Sequence, residues 1–239
     1  MSLFGNYPRY TWGVIRNAQL VPIYLSDWTL RVYVADDNAP PELAVPPRIL
    51  NKLRQLGVEI EQVSSIGTVA PRNWRLLAAD DQQLDYFLVR DADGRITQRE
   101  ADAIKDWLST TRNNTVHCIR DHPEHSNQAI VDGLWGGRPR ELRYLLRKRT
   151  TEFLGLSETS SLSRNKTNSV LNDVLWPTVA DSAYCHDSVS PCSRWTPTAR
   201  RHPFPTSRLG KEYLGQKYDQ HHNVISKQRL QLKADVMCL

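Results

Sequence analysis

The sequence is poor in cysteine and lacks long apolar runs. It has four cysteines among 239 residues, none of them in a C-x-x-C pair, and this excludes the usual zinc-finger spacings. No apolar run approaches the length of about 18 residues that a transmembrane helix needs. No repeat is present, which excludes solenoid and propeller arrays. The sequence therefore predicts a globular protein with a single main domain.

Residues 1–30 also lack a charged segment followed by an uninterrupted apolar stretch, so we predict no secretory signal in this chain. This pattern leads to two expectations for localisation. The protein is cytoplasmic if the chain is complete. It resides in the Golgi or secretory lumen if the chain is a fragment of a longer protein.

The charge is moderately basic and unevenly distributed. The net charge is +5 at pH 7, which suits a phosphorylated ligand, an anionic surface or nucleic acid without selecting one. Much of the excess positive charge lies between residues 138 and 149, where Glu141 is the one acidic residue. The six basic residues there are Arg138, Arg140, Arg143, Arg147, Lys148 and Arg149. A solvated helix face or a phosphate-binding strip explains this run. We do not expect nucleic acid as the main partner.

Strand-like and helix-like segments alternate from residue 30 to residue 120. Residues 30–34 and 116–119 are typical of buried strands, and residues 49–56 place their apolar side chains on one helical face. Thr97 and Glu100 form a capping box that begins a further helix. Repetition of this β-α-β pattern predicts an α/β protein with a doubly wound, mainly parallel sheet. Its ligands are then expected beyond the carboxyl ends of the strands.

One candidate site follows directly from this pattern. Asp91 and Asp93 end the apolar run that precedes them and lie two residues apart. In an extended segment such residues point the same way, so both carboxylates can reach one cation. Mg²⁺ or Mn²⁺ at nucleotide sites is commonly held by one or two carboxylates and by phosphate oxygens. A surface turn with two solvated acids is the alternative interpretation.

Three segments are expected along the chain. Residues 1–137 carry the alternating pattern and are predicted to form a nucleotide-sugar-binding α/β core. Residues 138–218 are more irregular and form an acceptor-side segment of the same domain, with a polar linker at 155–169 and a Pro-rich stretch at 185–210. Residues 219–239 form a basic C-terminal tail.

An ordered series of motifs extends from about Leu3 to Tyr218. Its members are Tyr10-Thr11-Trp12-Gly13, Arg16-Asn17-Ala18, Trp74-Arg75-Leu76-Leu77, Val89 to Arg95, Arg99-Glu100, Arg120-Asp121-His122-Pro123, His125, Leu134-Trp135-Gly136-Gly137, His186-Asp187-Ser188 and Phe204-Pro205-Thr206. In this series the chain resembles a family of glycosyltransferase-like proteins with a GT-A-type fold, a Rossmann-type nucleotide-binding core and an Asp-x-Asp motif. The resemblance implies metal-dependent transfer of a sugar from a nucleotide-activated donor to a glycan or another hydroxyl acceptor.

The resemblance also implies roles for particular residues. Asp91 and Asp93 would bind the metal, with His186 as the third ligand, and an imidazole beside carboxylates favours Mn²⁺. Four residues of the predicted N-terminal loop would contact the donor, namely Tyr10, Thr11, Arg16 and Asn17.

Residue chemistry extends this set. Arg90 and Arg95 have guanidinium groups that suit phosphate oxygens. His122, Trp135 and Gly136 would face the acceptor. Asp121 and Asp187 are the candidate catalytic residues, Asp121 because it follows the strand at 116–119.

Two positions depart from the family pattern, since Gly94 stands where a Ser is expected and Asp132 where a Gly is expected. They leave the carboxylates intact but affect the acceptor side. Three alternatives therefore stay open. The first alternative is a non-catalytic relative that binds a glycan or protein partner. The second is a Mg²⁺-dependent phosphate-processing enzyme that uses the same carboxylates. The third is a protein that binds nucleic acid through the basic residues between 138 and 149.

Overall fold

The structure is a computed structural model that describes residues 1–64, 69–110, 114–156, 164–188 and 200–225. Two β-sheets and the helices around them form an α/β architecture. In chain order the strands are β1 (Arg31–Ala35), β2 (Glu59–Val63), β3 (Phe87–Arg90), β4 (Val116–Arg120), β5 (Leu134–Gly137), β6 (Ala183–Asp187) and β7 (Arg200–His202). The α-helices are α1 (Pro8–Tyr24), α2 (Pro47–Gln55), α3 (Gln98–Ser109), α4 (Pro139–Leu146), α5 (Thr150–Phe153), α6 (Arg164–Ser169) and α7 (Trp176–Val179).

The first sheet is small and parallel. β1 pairs with β2 in register from Arg31 with Glu59 to Ala35 with Val63. The helix α2 connects the two strands and buries Ile49 and Leu53. The predicted strand at 30–34 and the predicted helix at 49–56 are therefore confirmed as parts of one β-α-β unit.

The second sheet has five strands in the order β3-β5-β4-β6-β7. β5 is antiparallel to both of its neighbours, whereas β4 with β6 and β6 with β7 are parallel. The predicted doubly wound, mainly parallel sheet is therefore wrong, because the sheet is mixed and a separate pair carries β1 and β2. The difference lies between β4 and β5, where residues 121–133 contain a short 3-10 helix at Pro123–Asn127 in place of an α-helix. A parallel crossover usually contains an α-helix, and this connection instead returns the chain antiparallel.

Helix boundaries follow local chemistry. α3 begins at the predicted cap, since the Thr97 side chain accepts a hydrogen bond from the backbone N–H of Glu100. α1 begins with Pro8 at its first position, where the missing N–H costs nothing. The prediction of an N-terminal loop is therefore wrong at Tyr10, Thr11, Arg16 and Asn17, which all lie in α1.

The second half of the chain completes the main sheet. β6 and β7 come from the segment predicted as irregular, and their parallel pairing places Cys118 of β4 opposite Cys185 of β6. A π-helical segment at Val170–Leu175 joins α6 to α7. Of the predicted linker at 155–169, residues 157–163 lie outside the described residues, and α6 follows them. The basic tail beyond residue 225 also lies outside them.

The core lies between the main sheet and the helices that cover it. Its largest fully buried side chains include Trp74, Trp107 and Trp135. The ring of Phe87 packs edge-on against Trp135, with ring centroids 5.1 Å apart. Such aromatic packing holds β3, whose carboxyl end carries the candidate site, against β5. Within the described residues, none of the helices has the length and apolar character that spanning a bilayer requires.

Candidate functional site

The carboxyl ends of β3, β4 and β6 meet at one edge of the main sheet, because β3 and β4 both run opposite to β5 and β6 is parallel to β4. Asp91, Asp121 and Ser188 follow these strands directly. The sequence therefore placed Asp91 and Asp121 correctly at strand ends on a shared edge. Two separate groups of charged side chains form there.

The first group, which we call the Asp91 cluster, contains three carboxylates and four cations. Its members are Asp91, Asp93, Asp132, Arg9, Arg72, Arg75 and Lys217. Asp91 contacts both Arg75 and Lys217. Asp93 accepts a hydrogen bond of 2.8 Å from the Arg9 Nε, and its other oxygen lies 3.1 Å from the Lys217 Nζ. The ammonium group of Lys217 therefore bridges the two carboxylates of the Asp-x-Asp motif.

These charges set the ionisation of Asp91. Burial alone would raise the pKa of its carboxyl, but the charges of Lys217 and Arg75 outweigh burial and hold that pKa well below its ordinary value. Asp91 is therefore ionised at neutral pH. An ionised carboxylate is the form that a cation requires.

The turn that carries Asp91 and Asp93 is held by α1. The side-chain amide of Asn17 donates to the carbonyl groups of Ala92 and Gly94, at 3.3 and 3.1 Å, and its oxygen accepts from the backbone N–H of Ile96 at 3.2 Å. Asn17 is fully buried. The structure thus places the predicted donor-binding residue Asn17 in the support of the turn, where it fixes both carboxylates.

A polar cavity of about 520 Å³ opens beside the Asp91 cluster. Its wall includes Asp91, Asp132, Arg9 and Lys217 from the cluster, together with Glu124, His125, Gln128, Asn168 and Tyr213. Two amide oxygens in that wall, the Gln128 Oε1 and the Asn168 Oδ1, are buried without a hydrogen-bond partner among the described residues. Buried acceptors of this kind are suited to the hydroxyl or N–H groups of a ligand. The volume suits a molecule larger than a single sugar.

The fit of a divalent metal depends on Lys217. Within the described residues, no group of three or more His, Cys, Asp or Glu side chains suits a metal ion. The two carboxylates nevertheless converge on one cation, the Lys217 ammonium, and they are the residues that would hold a metal. Two carboxylates with several water or phosphate oxygens are a normal Mg²⁺ or Mn²⁺ shell. The residues therefore fit a metal, provided that Lys217 moves aside.

His186 belongs to another group. It shares a hydrogen bond of 2.8 Å with His117, and its Nε2 lies 3.3 Å from a carboxylate oxygen of Asp106. β6, which carries His186, is three strand positions from β3, and at about 4.8 Å per position that is about 14 Å. One ion cannot bridge such a separation, so His186 does not complete the predicted metal site.

The second group surrounds Asp121 and is called the Asp121 cluster. The carboxylate accepts hydrogen bonds from Arg99 at 3.0 and 3.2 Å, from Arg208 at 2.6 Å, from the Ser188 hydroxyl at 2.7 Å and from the backbone N–H of Leu214 at 3.1 Å. Burial alone would raise the pKa of Asp121, but the hydrogen bonds and charges of Arg99 and Arg208 have the larger effect. The pKa of Asp121 is therefore below its ordinary value. A carboxylate with so many donors is a poor proton acceptor.

The other predicted catalytic residue, Asp187, is also paired. Its carboxylate accepts a hydrogen bond of 2.7 Å from the Arg120 Nε, and both side chains are almost completely buried. The pair links the ends of β4 and β6. In this structure Asp187 therefore fixes strand ends, as Asp121 fixes the segment that contains Leu214.

The predicted acceptor residues are distributed over the core and the second group. The ring of His122 packs against the ring of Tyr213, with centroids 4.1 Å apart and the ring planes tilted by 33°. Trp135 is fully buried in β5, so its indole face is part of the core. Gly136 lies in the same strand, where a side chain would collide with the backbone carbonyl of Phe87. Only His122 lies beside the cavity wall, next to Tyr213 and His125.

The predicted phosphate-binding arginines differ in their accessibility. Arg90 is buried, contacts Glu100 and donates to the carbonyl groups of Val89 and Trp135. Arg95 lies over the ring of Tyr218, at 4.7 Å from its centroid. Arg95 donates to the carbonyl group of Gly94 and does not line the cavity beside the Asp91 cluster, whereas Arg90 supports the sheet.

The remaining donor residues lie on different faces of α1. Thr11 is buried and Tyr10 is half-exposed, while Arg16 donates to the side-chain oxygen of Gln19 at 3.1 Å. The structure therefore does not gather the three of them around one ligand position.

Several residues of the site were missed by sequence reasoning. Arg9, Arg75 and Lys217 lie 84, 16 and 126 positions away from their carboxylate partners. No local spacing signals such pairs. Arg75 was part of the motif series and Asp132 was noted as a departure, yet neither was assigned to the metal site.

The comparisons with known proteins add no assignment. No protein-family model matches the chain, and no curated protein matches its sequence significantly.

Proposed function

We propose that this protein binds a nucleotide sugar in the cavity beside the Asp91 cluster and transfers the sugar to a hydroxyl acceptor. The observation that carries the proposal is the Lys217 ammonium held between Asp91 and Asp93, at the carboxyl end of a strand and in the wall of a cavity of about 520 Å³. Two carboxylates that converge on one cation beside a polar cavity suit a metal–diphosphate ligand.

With a divalent metal bound, the charge balance beside the cavity supports an anionic ligand. The cluster has three carboxylates and four cations, and Glu124 in the same cavity wall brings the formal charge to zero before any ligand binds. A divalent metal on Asp91 and Asp93 would raise this charge to about +2, which balances most of the roughly two to three negative charges of a nucleoside diphosphate group. The unpaired oxygens of Gln128 and Asn168 then suit ligand hydroxyls on the opposite part of the wall.

Each residue has a distinct role in this proposal. Asp91 and Asp93 would hold Mn²⁺ or Mg²⁺, which when bound neutralises the leaving diphosphate as the sugar–phosphate bond breaks. Lys217, released from the carboxylates, would donate to phosphate oxygens. Arg75 and Arg9 keep the carboxylates oriented, and Asn17 fixes their turn. Asp121 positions the segment that contains Lys217, since it binds the backbone of Leu214.

A second candidate function is favoured by the same ion pairs. Asp91, Asp93 and Asp121 already have protein cations as partners, as expected if the carboxylates serve structure alone. The protein would then be a non-catalytic relative that binds a glycan or a protein without metal. Metal dependence distinguishes the two candidates, because the second needs neither Asp91 nor Asp93 to be released from its partners.

The substitution Asp93→Asn is expected to remove metal-dependent binding of nucleoside diphosphates. Loss of one of two carboxylate ligands should weaken Mn²⁺-dependent affinity at least about tenfold, corresponding to about 1.4 kcal/mol. Calorimetric titration of UDP and GDP with Mn²⁺, and again with EDTA, measures this change. Far-UV circular dichroism of the variant checks that its fold is intact.

The matched control is Asp181→Asn. Asp181 is exposed and precedes β6 at the opposite edge of the main sheet, so its amide should bind nucleoside diphosphate as the natural chain does. If the natural chain binds with Mn²⁺ and Asp93→Asn binds equally well, the assignment of the metal to the Asp91 cluster is contradicted. Nucleotide binding that EDTA leaves unchanged would favour the second candidate.

A further inference from the structure

A groove between α1 and α2 has a composition that the proposed donor site does not explain. Its volume is about 350 Å³, and its wall is formed by Asn6, Pro8, Thr11, Trp12, Ile15, Arg48, Ile49 and Lys52. Thr11, Ile15 and Ile49 are buried and form the floor. The groove is therefore a preformed apolar depression on the outer side of the helix pair.

Trp12 is the unusual member of this groove. Its side chain is 50% exposed, although large aromatic side chains are normally covered. It lies on the same face of α1 as Pro8 and Ile15, four residues before and three residues after it. An indole face presented to solvent beside an apolar floor marks a binding surface.

Two cations border the same groove from α2. Arg48 and Lys52 are exposed and are spaced i, i+4, so they share one face of the helix. Among the described residues, neither forms an ion pair. Their charges are therefore available to an anionic group held beside the indole.

We infer that this groove binds an acidic sugar residue of a glycan. The apolar face of a pyranose ring would lie on Trp12, where its C–H groups contact the negative face of the indole. A carboxylate or sulfate on that ring would accept hydrogen bonds from Arg48 and Lys52. The volume suits one or two sugar rings, and the groove lies apart from the cavity that contains Lys217.

A single-stranded nucleic acid offers phosphate charge and flat bases, but it fits the groove less well. Proteins that bind single strands stack successive bases on several aromatic side chains along a basic channel. Here the groove contains one indole and two cations. One stacked ring with one adjacent anionic group is the pattern of an acidic monosaccharide unit.

The experiment is a titration of the full chain with defined oligosaccharides in EDTA and without nucleotide, so the proposed donor site does not contribute. The probes are a polyuronate hexamer, a heparin-derived sulfated hexamer and a neutral glucose hexamer. We expect both acidic probes to bind more tightly than the neutral one. The ratio of the dissociation constants of the two acidic probes then identifies carboxylate or sulfate as the preferred group. Trp12→Ala and the double variant Arg48→Gln/Lys52→Gln should each weaken that binding at least about tenfold.

The matched control is Arg140→Gln/Arg143→Gln, which removes the same charge from exposed positions of α4. It should change affinity by less than about twofold. Equal weakening by the control would show that binding is unspecific attraction and would overturn the inference. The inference would also be overturned if Trp12→Ala bound the acidic probes as tightly as the natural chain does, or if the neutral hexamer bound as tightly as the acidic ones. Tighter binding of an RNA hexamer than of either acidic probe, or no binding of any sugar, would overturn it as well.

Discussion

Asp121→Ala is expected to lower the free energy of unfolding by about 3–5 kcal/mol. The carboxylate is fully buried and accepts hydrogen bonds from two guanidinium groups, one hydroxyl and one backbone N–H. Its removal leaves Arg99 and Arg208 with buried charge and no counter-ion, and this is the costly way to disrupt a buried ion pair. Urea denaturation followed by tryptophan fluorescence measures the loss.

Asp181→Ala is the control for this prediction, because that aspartate is exposed and its replacement should change stability by less than about 0.5 kcal/mol. The loss of stability in Asp121→Asn should lie between the losses in Asp181→Ala and Asp121→Ala, since asparagine keeps the shape of the side chain but not its charge. A loss of less than about 1 kcal/mol for Asp121→Ala would contradict the structural role assigned to this residue. Its predicted role as a general base would then regain support.

Acidification from pH 7 to pH 5 is expected to lower the free energy of unfolding by about 3–6 kcal/mol. His117 and His186 are fully buried and share a hydrogen bond. Burial, assisted by the charge of His186, lowers the pKa of His117 well below its ordinary value. Burial lowers the pKa of His186 to about 4, although the nearby Asp106 opposes the shift. Burial also lowers the pKa of His125, to about 3.

The sign follows from proton binding. Between pH 6.5 and pH 4 the unfolded chain protonates these imidazoles while the folded chain does not, so acid favours unfolding by up to about 1.4 kcal/mol per pH unit for each imidazole. Asp91 and Asp121, whose pKa values are lowered, add a loss only below about pH 4. Urea denaturation at pH 7, 6 and 5 measures the slope, and His186→Asn should reduce it. Equal stability at pH 7 and pH 5 would contradict the assignment of neutral buried imidazoles.

Local structure was predictable where a short-range signal exists. The strand at 31–35, the helix α2 and the Thr97 cap of α3 all follow from periodicity or capping within a few residues. The long helix α1 was missed, because its buried face alternates apolar side chains with Thr11, Gly13 and Asn17. Glycine and asparagine disfavour helices, and tertiary contacts with the turn at 92–96 override that preference here.

Topology was not predictable from the same signals. The segment Leu134–Gly137 contains two glycines and lacks β-branched residues, so nothing marks it as a strand. It nevertheless inserts between β3 and β4 and makes the sheet mixed. Gly136 and Gly137 are required there because side chains would collide with Phe87 and Thr115. Close packing, which a sequence pattern does not express, determines this strand.

The candidate site was likewise predictable only where its residues are close in sequence. Asp91 and Asp93 were found because their spacing at a strand end is a local pattern. Lys217 was not found, since its position depends on how residues 203–218 return across the sheet edge. His186 was misplaced because sequence order does not show that two strands separate β6 from β3.

The most direct test of the proposed function is calorimetric titration of the natural chain with a panel of nucleotide sugars and nucleoside diphosphates, first with Mn²⁺ and then with EDTA. The Asp91 cluster and its cavity predict that one nucleotide class binds with Mn²⁺ and that EDTA weakens this binding at least about tenfold. Absence of binding under both conditions, from protein that is folded by circular dichroism, would contradict the donor-site proposal.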